Sequence, residues 1–184
     1  MRKLIYGINL TADGCCDHTQ LSGSDEMHHY FTDLMDGVDL LLYGRKTYEL
    51  MVPFWPDYIK TEVGPEPVMK FAKRFSEIGR VVVSTTLENV YQNTNIIRTN
   101  LAEEVLKLKR EPGGIISTGG VSLPAQLLAL GLVDEIYLLV HPVISGNGRR
   151  LVDGSNLQEQ LKLELLDSRV LGSGSIALHY SVVK

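Results

Sequence analysis

Ile115-Ile116-Ser117-Thr118-Gly119-Gly120-Val121-Ser122-Leu123 is the stretch that decides the fold. Three residues rich in β-branched side chains read as a strand, the glycine pair as a turn, and Ser122 as the N-cap of a helix that closes at Gly131. In an open α/β sheet, ligands lie beyond the carboxyl ends of the parallel strands, so a turn of this kind is where a site belongs. Two glycines let backbone approach a phosphate, and the following helix offers unpaired N–H groups and the positive end of its dipole. The same glycines would also serve a plain strand-to-helix turn, and the pair alone leaves both readings open.

Outward from this unit the alternation continues. Leu4 to Leu10 is a strand ending in Thr11-Ala12-Asp13-Gly14, and Met27, Tyr30, Phe31, Leu34 and Met35 recur at helical spacing between a cap at Ser24 or Asp25 and a stop at Gly37. Leu40 to Tyr43 reads as a buried strand that stops at Gly44-Arg45-Lys46-Thr47. Met51 to Gly64, with Pro53, Pro56 and Trp55, reads as a structured loop. A helix over Glu66 to Ile78 is followed by strands at Arg80 to Ser84 and Ile96 to Arg98, and Asn100 with Glu103 resembles a capping box for a helix carrying Leu101, Val105 and Leu108. After Gly131 the pattern changes to strands without long helices between them: Val133 to His141, Leu161 to Leu171 and Ile176 to Val183, the last two joined by a turn at Gly172 to Ser175. The expectation is an α/β three-layer sandwich: a mixed sheet of seven or eight strands, mostly parallel, with antiparallel C-terminal strands. A length of 184 residues with no repeat or linker fits one domain, 1–184.

Composition narrows the function. Hydrophobic residues are 44% and charged residues 22%, values of an ordinary globular chain. A net charge of -4 without a dense basic cluster argues against nucleic acid as a partner and favours a small molecule. No apolar run approaches the roughly 20 residues a membrane span needs. Met1-Arg2-Lys3 is followed by an apolar stretch interrupted at Asn9 and without a cleavage site, which places the protein in the cytoplasm. Cys15 and Cys16 are adjacent and read as free thiols. His18, His28, His29, His141 and His179 show no metal-ligand spacing, and Gly-x-Ser-x-Gly and Walker motifs are absent.

Three further turns follow strands. Gly44-Arg45-Lys46-Thr47 sets two cations and a hydroxyl where a phosphate could bind, although a lone Arg-Lys pair is more often a solvated loop. Ser84-Thr85-Thr86 could assist the same phosphate or form an ordinary turn. Asp13, and Asp25 at the start of the first helix, could supply a proton near a nicotinamide, against the commoner roles of turn residue and cap. Gly146-Asn147-Gly148-Arg149-Arg150 is a basic loop that could touch a substrate phosphate, although a surface turn is the commoner reading.

Gly44 to Glu49, Ser117 to Leu123, Gly131-Leu132-Val133-Asp134-Glu135 and His141-Pro142-Val143-Ile144, taken in this order, resemble the dihydrofolate reductase superfamily. Within it the chain is most similar to the reductase domain of the riboflavin-biosynthesis deaminase-reductase (the RibD C-terminal domain). The resemblance implies NADPH held by Gly44, Arg45, Lys46, Thr47, Ser84, Thr85, Gly119, Gly120, Val121, Ser122 and Leu123, with the nicotinamide near Ala12 and Asp13. It also implies a homodimer built through the C-terminal strands and reduction of 5-amino-6-(5-phosphoribosylamino)uracil, with Asp25 as the substrate-side carboxyl. The zinc signature of the deaminase is absent, and so is the Leu-Pro-Trp stretch of true dihydrofolate reductases. Alternative readings are a dihydrofolate reductase and a non-catalytic NADP-binding module. The loops at 15–23 and 51–64 would border the substrate pocket without a readable motif.

Overall fold

The computed structural model describes residues 1–16, 23–152, 157 and 160–184. Residues 17–22, and with them His18, lie outside the described residues, so most of the first pocket-bordering loop does too. In chain order the elements are β1 (Leu4–Thr11), α1 (Asp25–Leu34), β2 (Val38–Gly44), α2 (Arg45–Lys60), α3 (Glu66–Glu77), β3 (Gly79–Val83), β4 (Thr94–Ile97), α4 (Leu101–Arg110), β5 (Ile115–Thr118), α5 (Ser122–Ala129), β6 (Glu135–His141), β7 (Leu163–Val170) and β8 (Ile176–Val182).

Eight strands form one sheet in the order β4-β3-β2-β5-β1-β6-β8-β7. From β4 to β6 every pairing is parallel, and β8 pairs antiparallel with both β6 and β7. The architecture expected from the alternation is therefore the one observed. Period-two alternation along β1 divides the core. Leu4, Tyr6, Ile8 and Leu10 pack with Val105 of α4 and with Leu123, Leu127 and Leu128 of α5. Ile5 on the opposite face joins Phe31 and Leu34 of α1, Tyr48 and Val52 of α2, and Phe71 and Phe75 of α3.

Three local expectations are corrected. The Met51 to Gly64 stretch is helical as far as Lys60, because α2 runs on through Pro53 and Pro56. Each proline forfeits a helical hydrogen bond, at about 3 kcal/mol in an isolated helix. Packing outweighs this: Val52 is fully buried, and Trp55 stacks edge-on against Phe71 of α3 at 4.7 Å and His28 of α1 at 5.9 Å. Asn100 precedes α4 but makes no capping bond; it adopts a left-handed conformation (φ 53°), which asparagine tolerates better than most residues. Ser122 is the first residue of α5 and Val121 its N-cap, which frees the Ser122 hydroxyl for another partner. Elsewhere the caps follow the sequence: Ser24 Oγ accepts from Met27 N at 3.1 Å, and Gly37 closes the α1 turn at φ 74°.

Candidate active site at the carboxyl ends of the strands

Helices α1, α2 and α3 pack on one face of the sheet and α4 and α5 on the other. Neighbouring strands β2 and β5 therefore send their following helices to opposite faces, and a crevice opens where the two depart. Its walls are the turns Gly44 to Thr47 and Gly119 to Leu123, which the sequence had singled out separately. They touch: a Cβ on Gly44 would lie 3.3 Å from Leu123 Cβ, and one on Gly120 would overlap Thr47 Oγ1. Gly120 also has φ 83°, a conformation that L side chains rarely adopt. The Tyr6 hydroxyl donates to Gly120 O at 2.7 Å, and burial pushes that phenol well above its usual pKa, keeping it a donor.

Neither α2 nor α5 has a side chain capping its first turn, and neither carries an acidic residue there. The other three helices all do carry acids in that turn: Asp25 and Glu26, Glu66, and Glu103 and Glu104. Two uncapped, acid-free N-termini thus meet in one crevice, each with unpaired N–H groups and a partial positive charge. Cations border it. Arg45 is shared with Glu49 at 3.2 Å, Lys46 is exposed, and Arg149 reaches across from the β6–β7 loop to Ser122 Oγ at 2.9 Å. The partner Ser122 was not legible in the sequence, which offered the loop of Arg149 only as a basic turn that could touch a phosphate.

Ser84 is buried and its Oγ accepts from Thr86 N and Leu87 N at 3.2 and 3.0 Å, while Thr85 is exposed. The Ser84 hydroxyl thus already organises its own turn. Ala12 lies at the end of β1, its N–H donating to Val143 O at 2.8 Å.

Asp13 accepts from Thr11 Oγ1 at 2.5 Å, Ser145 N at 3.1 Å and Gly146 N at 2.9 Å. These bonds pull its carboxyl down to about 2. At neutral pH it is a carboxylate with no proton to give, and it ties the turn after β1 to the loop after β6. Asp25 is exposed at the start of α1. Its neighbour Glu26 reaches Gly172 N and Ser173 N at 2.6 and 2.9 Å, joining α1 to the β7–β8 turn. Asn9 and His141, 2.9 Å apart beside these loops, were also passed over in the sequence. The signal was present, since a polar residue at an inward position of a buried strand needs a partner or a task.

Among the described residues no helix is long and apolar enough to cross a membrane, and no group of three potential metal ligands occurs.

The family model of the RibD C-terminal domain matches residues 2–177. The chain is 34% identical over 151 residues to the Bacillus subtilis (strain 168) protein YyaP, covering 82% of this chain and 77% of that one. A putative riboflavin biosynthesis protein from Shewanella sp. PV-4 superimposes with a TM-score of 0.71 at 18% identity over 99% of both chains. Dihydrofolate reductase from Enterococcus faecalis, complexed with NADP(H), superimposes with a TM-score of 0.64 at 13% identity over 99% of this chain and 97% of that one.

Proposed function

The chain belongs to the RibD C-terminal domain family, and on that premise we propose that it is an NADPH-dependent reductase of a pyrimidine- or pterin-like substrate, related to 5-amino-6-(5-phosphoribosylamino)uracil. One observation carries the cofactor: the two uncapped, acid-free N-termini of α2 and α5, brought together where Gly120 leaves no room for a side chain. The crevice would take a dinucleotide pyrophosphate. Gly119, Gly120, Val121, Ser122 and Leu123 would supply backbone N–H groups from one wall, and Gly44 and Thr47 the other. Arg45 and Lys46 would recognise the additional phosphate of NADP. Thr85 borders the same edge of the sheet, and Ser84 acts by shaping its turn. When bound, NADPH supplies the hydride.

The residues of this chain do the rest. Asp13 holds the two loops that frame the end of β1, where Ala12 would lie against the nicotinamide. We propose Asp25 as the substrate-side carboxyl: it is exposed at the start of α1, and the substrate cleft would lie between α1 and the strand ends. We further propose a cytoplasmic homodimer. All eight residues of the edge strand β7 are exposed, including Leu163, Leu165, Leu166 and Val170, and an apolar edge of this kind is complemented by pairing with a second copy.

The test is a titration of NADPH followed by its fluorescence, with NADH as control. Saturation in the micromolar range with preference for NADPH supports the reading. Failure to bind either nucleotide sinks it.

A further inference from the structure

Four polar side chains run in line across the sheet on the α1 side of the cleft. Ser173 Oγ donates to Ser175 Oγ at 3.1 Å, Ser175 Oγ lies 3.3 Å from His141 Nδ1, and His141 Nε2 lies 2.9 Å from Asn9 Oδ1. Each link to the ring has one direction. An amide oxygen only accepts, so the hydrogen of the ring is on Nε2. Nδ1 is then a bare acceptor and accepts a hydrogen bond from the Ser175 hydroxyl, whose oxygen is served by Ser173. Burial lowers the pKa of His141, in keeping with the neutral ring this order requires. The outer end is fixed as well, because Glu26 of α1 binds the N–H groups of Gly172 and Ser173 in the same turn.

The chain of bonds determines what Asn9 shows to the cleft. With Oδ1 committed to His141, its Nδ2 group remains, half-buried and with no acceptor among the described residues. In the proposed reductase this position would form the floor of the substrate cleft. Helix α1 packs against β1 at Gly7, where a Cβ would lie 3.0 Å from Leu34 and 3.7 Å from Phe31. Asn9 is the next residue on that face towards the carboxyl end, half-buried beyond the contact. A carboxamide held in one orientation inside an apolar strand, by three residues from two other segments, is an arrangement that hydrophobic packing does not require.

We propose that Asn9 is a specificity-determining residue whose carboxamide N–H group donates to a ring carbonyl oxygen of the substrate, with His141 and Ser175 as positioning residues that keep the donors facing the cleft. The inference rests on the reductase reading and deepens it. Donors placed there donate to a lactam carbonyl, as in an oxopyrimidine, and reject a ring bearing an amino group at the same position, where donor would meet donor.

The experiment compares Asn9→Leu, Asn9→Asp, His141→Leu and His141→Gln with the wild type, using 5-amino-6-(5-phosphoribosylamino)uracil and NADPH. Both Asn9 variants lower kcat/KM about a hundredfold while NADPH affinity stays within about twofold. His141→Leu costs about tenfold, and His141→Gln recovers most of it, because a glutamine amide can donate to Asn9 Oδ1 as the ring does. Wild-type kcat/KM in Asn9→Leu, or equal losses in the two His141 variants, overturns the proposal. A second readout needs no turnover. In isotope-labelled protein saturated with NADP, excess uracil shifts the Asn9 side-chain NH2 resonance in the wild type and leaves it unmoved in His141→Leu. An unmoved resonance in the wild type also overturns it. If the wild type binds no NADPH, the reductase reading falls, and the uracil shift measured on the protein alone still decides whether Asn9 reads a carbonyl.

Discussion

The two ends of the parallel sheet use similar residues to opposite effect. At the amino end, Lys109 is 2% exposed and donates to Asp134 at 2.5 Å and to Leu132 O at 2.8 Å. Asp134 also accepts from Leu4 N and Lys184, and Glu135 from Lys3, Tyr137 and His179. Burial alone would push both carboxyls up, yet these partners together hold them below the usual carboxylate range. At the carboxyl end, N–H groups and cations are left over. The uncapped turns of α2 and α5 face each other, and Lys46 has no carboxylate partner among the described residues. Charges that satisfy one another stabilise a fold. Hydrogen-bonding capacity left unspent is what a ligand can use.

Four measurements test the difference between the two ends. The largest effect is expected at the amino end. Lys109→Met leaves Asp134 without its buried partner and should cost about 3–5 kcal/mol by chemical denaturation, with NADPH affinity unchanged in the folded fraction. A parallel loss of NADPH affinity in that folded fraction would show that the two ends are coupled. Gly120→Ala should do the reverse. Its positive φ adds about 1–2 kcal/mol of strain, and the clash with Thr47 closes the crevice, so NADPH affinity should fall about a hundredfold. Near-normal affinity in a folded Gly120→Ala protein would remove the crevice as the cofactor site.

A smaller change is expected from Arg45→Ala combined with Lys46→Ala: about a tenfold loss of preference for NADPH over NADH, read from the ratio of dissociation constants. An unchanged ratio would mean that these cations merely solvate the turn. The smallest effect concerns Asp13. Its folded pKa of about 2 lies below the unfolded value of about 4. It therefore contributes stability that is fully present above pH ~4 and is lost as the pH falls towards 2. Asp13→Asn should lower the thermal midpoint slightly at pH 7 and flatten its fall between pH 4 and 2. Wild-type pH dependence in that variant would contradict the clasp.

Much of this was written in local pattern. The strand, glycine pair and helix around Gly119, the switch to strands after Gly131 and the cap at Ser24 are matters of neighbouring residues, and all were readable. The helix through Pro53 and Pro56 was not, because its stability lies in contacts of Trp55 with Phe71 and His28, from helices distant in sequence. The site divides in the same way. Gly44 to Thr47 and Gly119 to Leu123 could be found one at a time from their composition, since a turn after a strand is a local feature. That they form two walls of one crevice depends on β5 inserting beside β2, which no short segment encodes.

The alternation of elements, the sheet class and the chemical kind of each turn follow from periodicity and conformational preference within a few residues. Which turns meet, the clasp at Asp13, the reach of Arg149 to Ser122 and the alignment of Asn9 by His141 and Ser175 arise only in the folded chain. Those are pairings across 27 to 133 residues. Their partners are selected by the register and order of the strands, and register becomes defined only when the whole sheet has assembled.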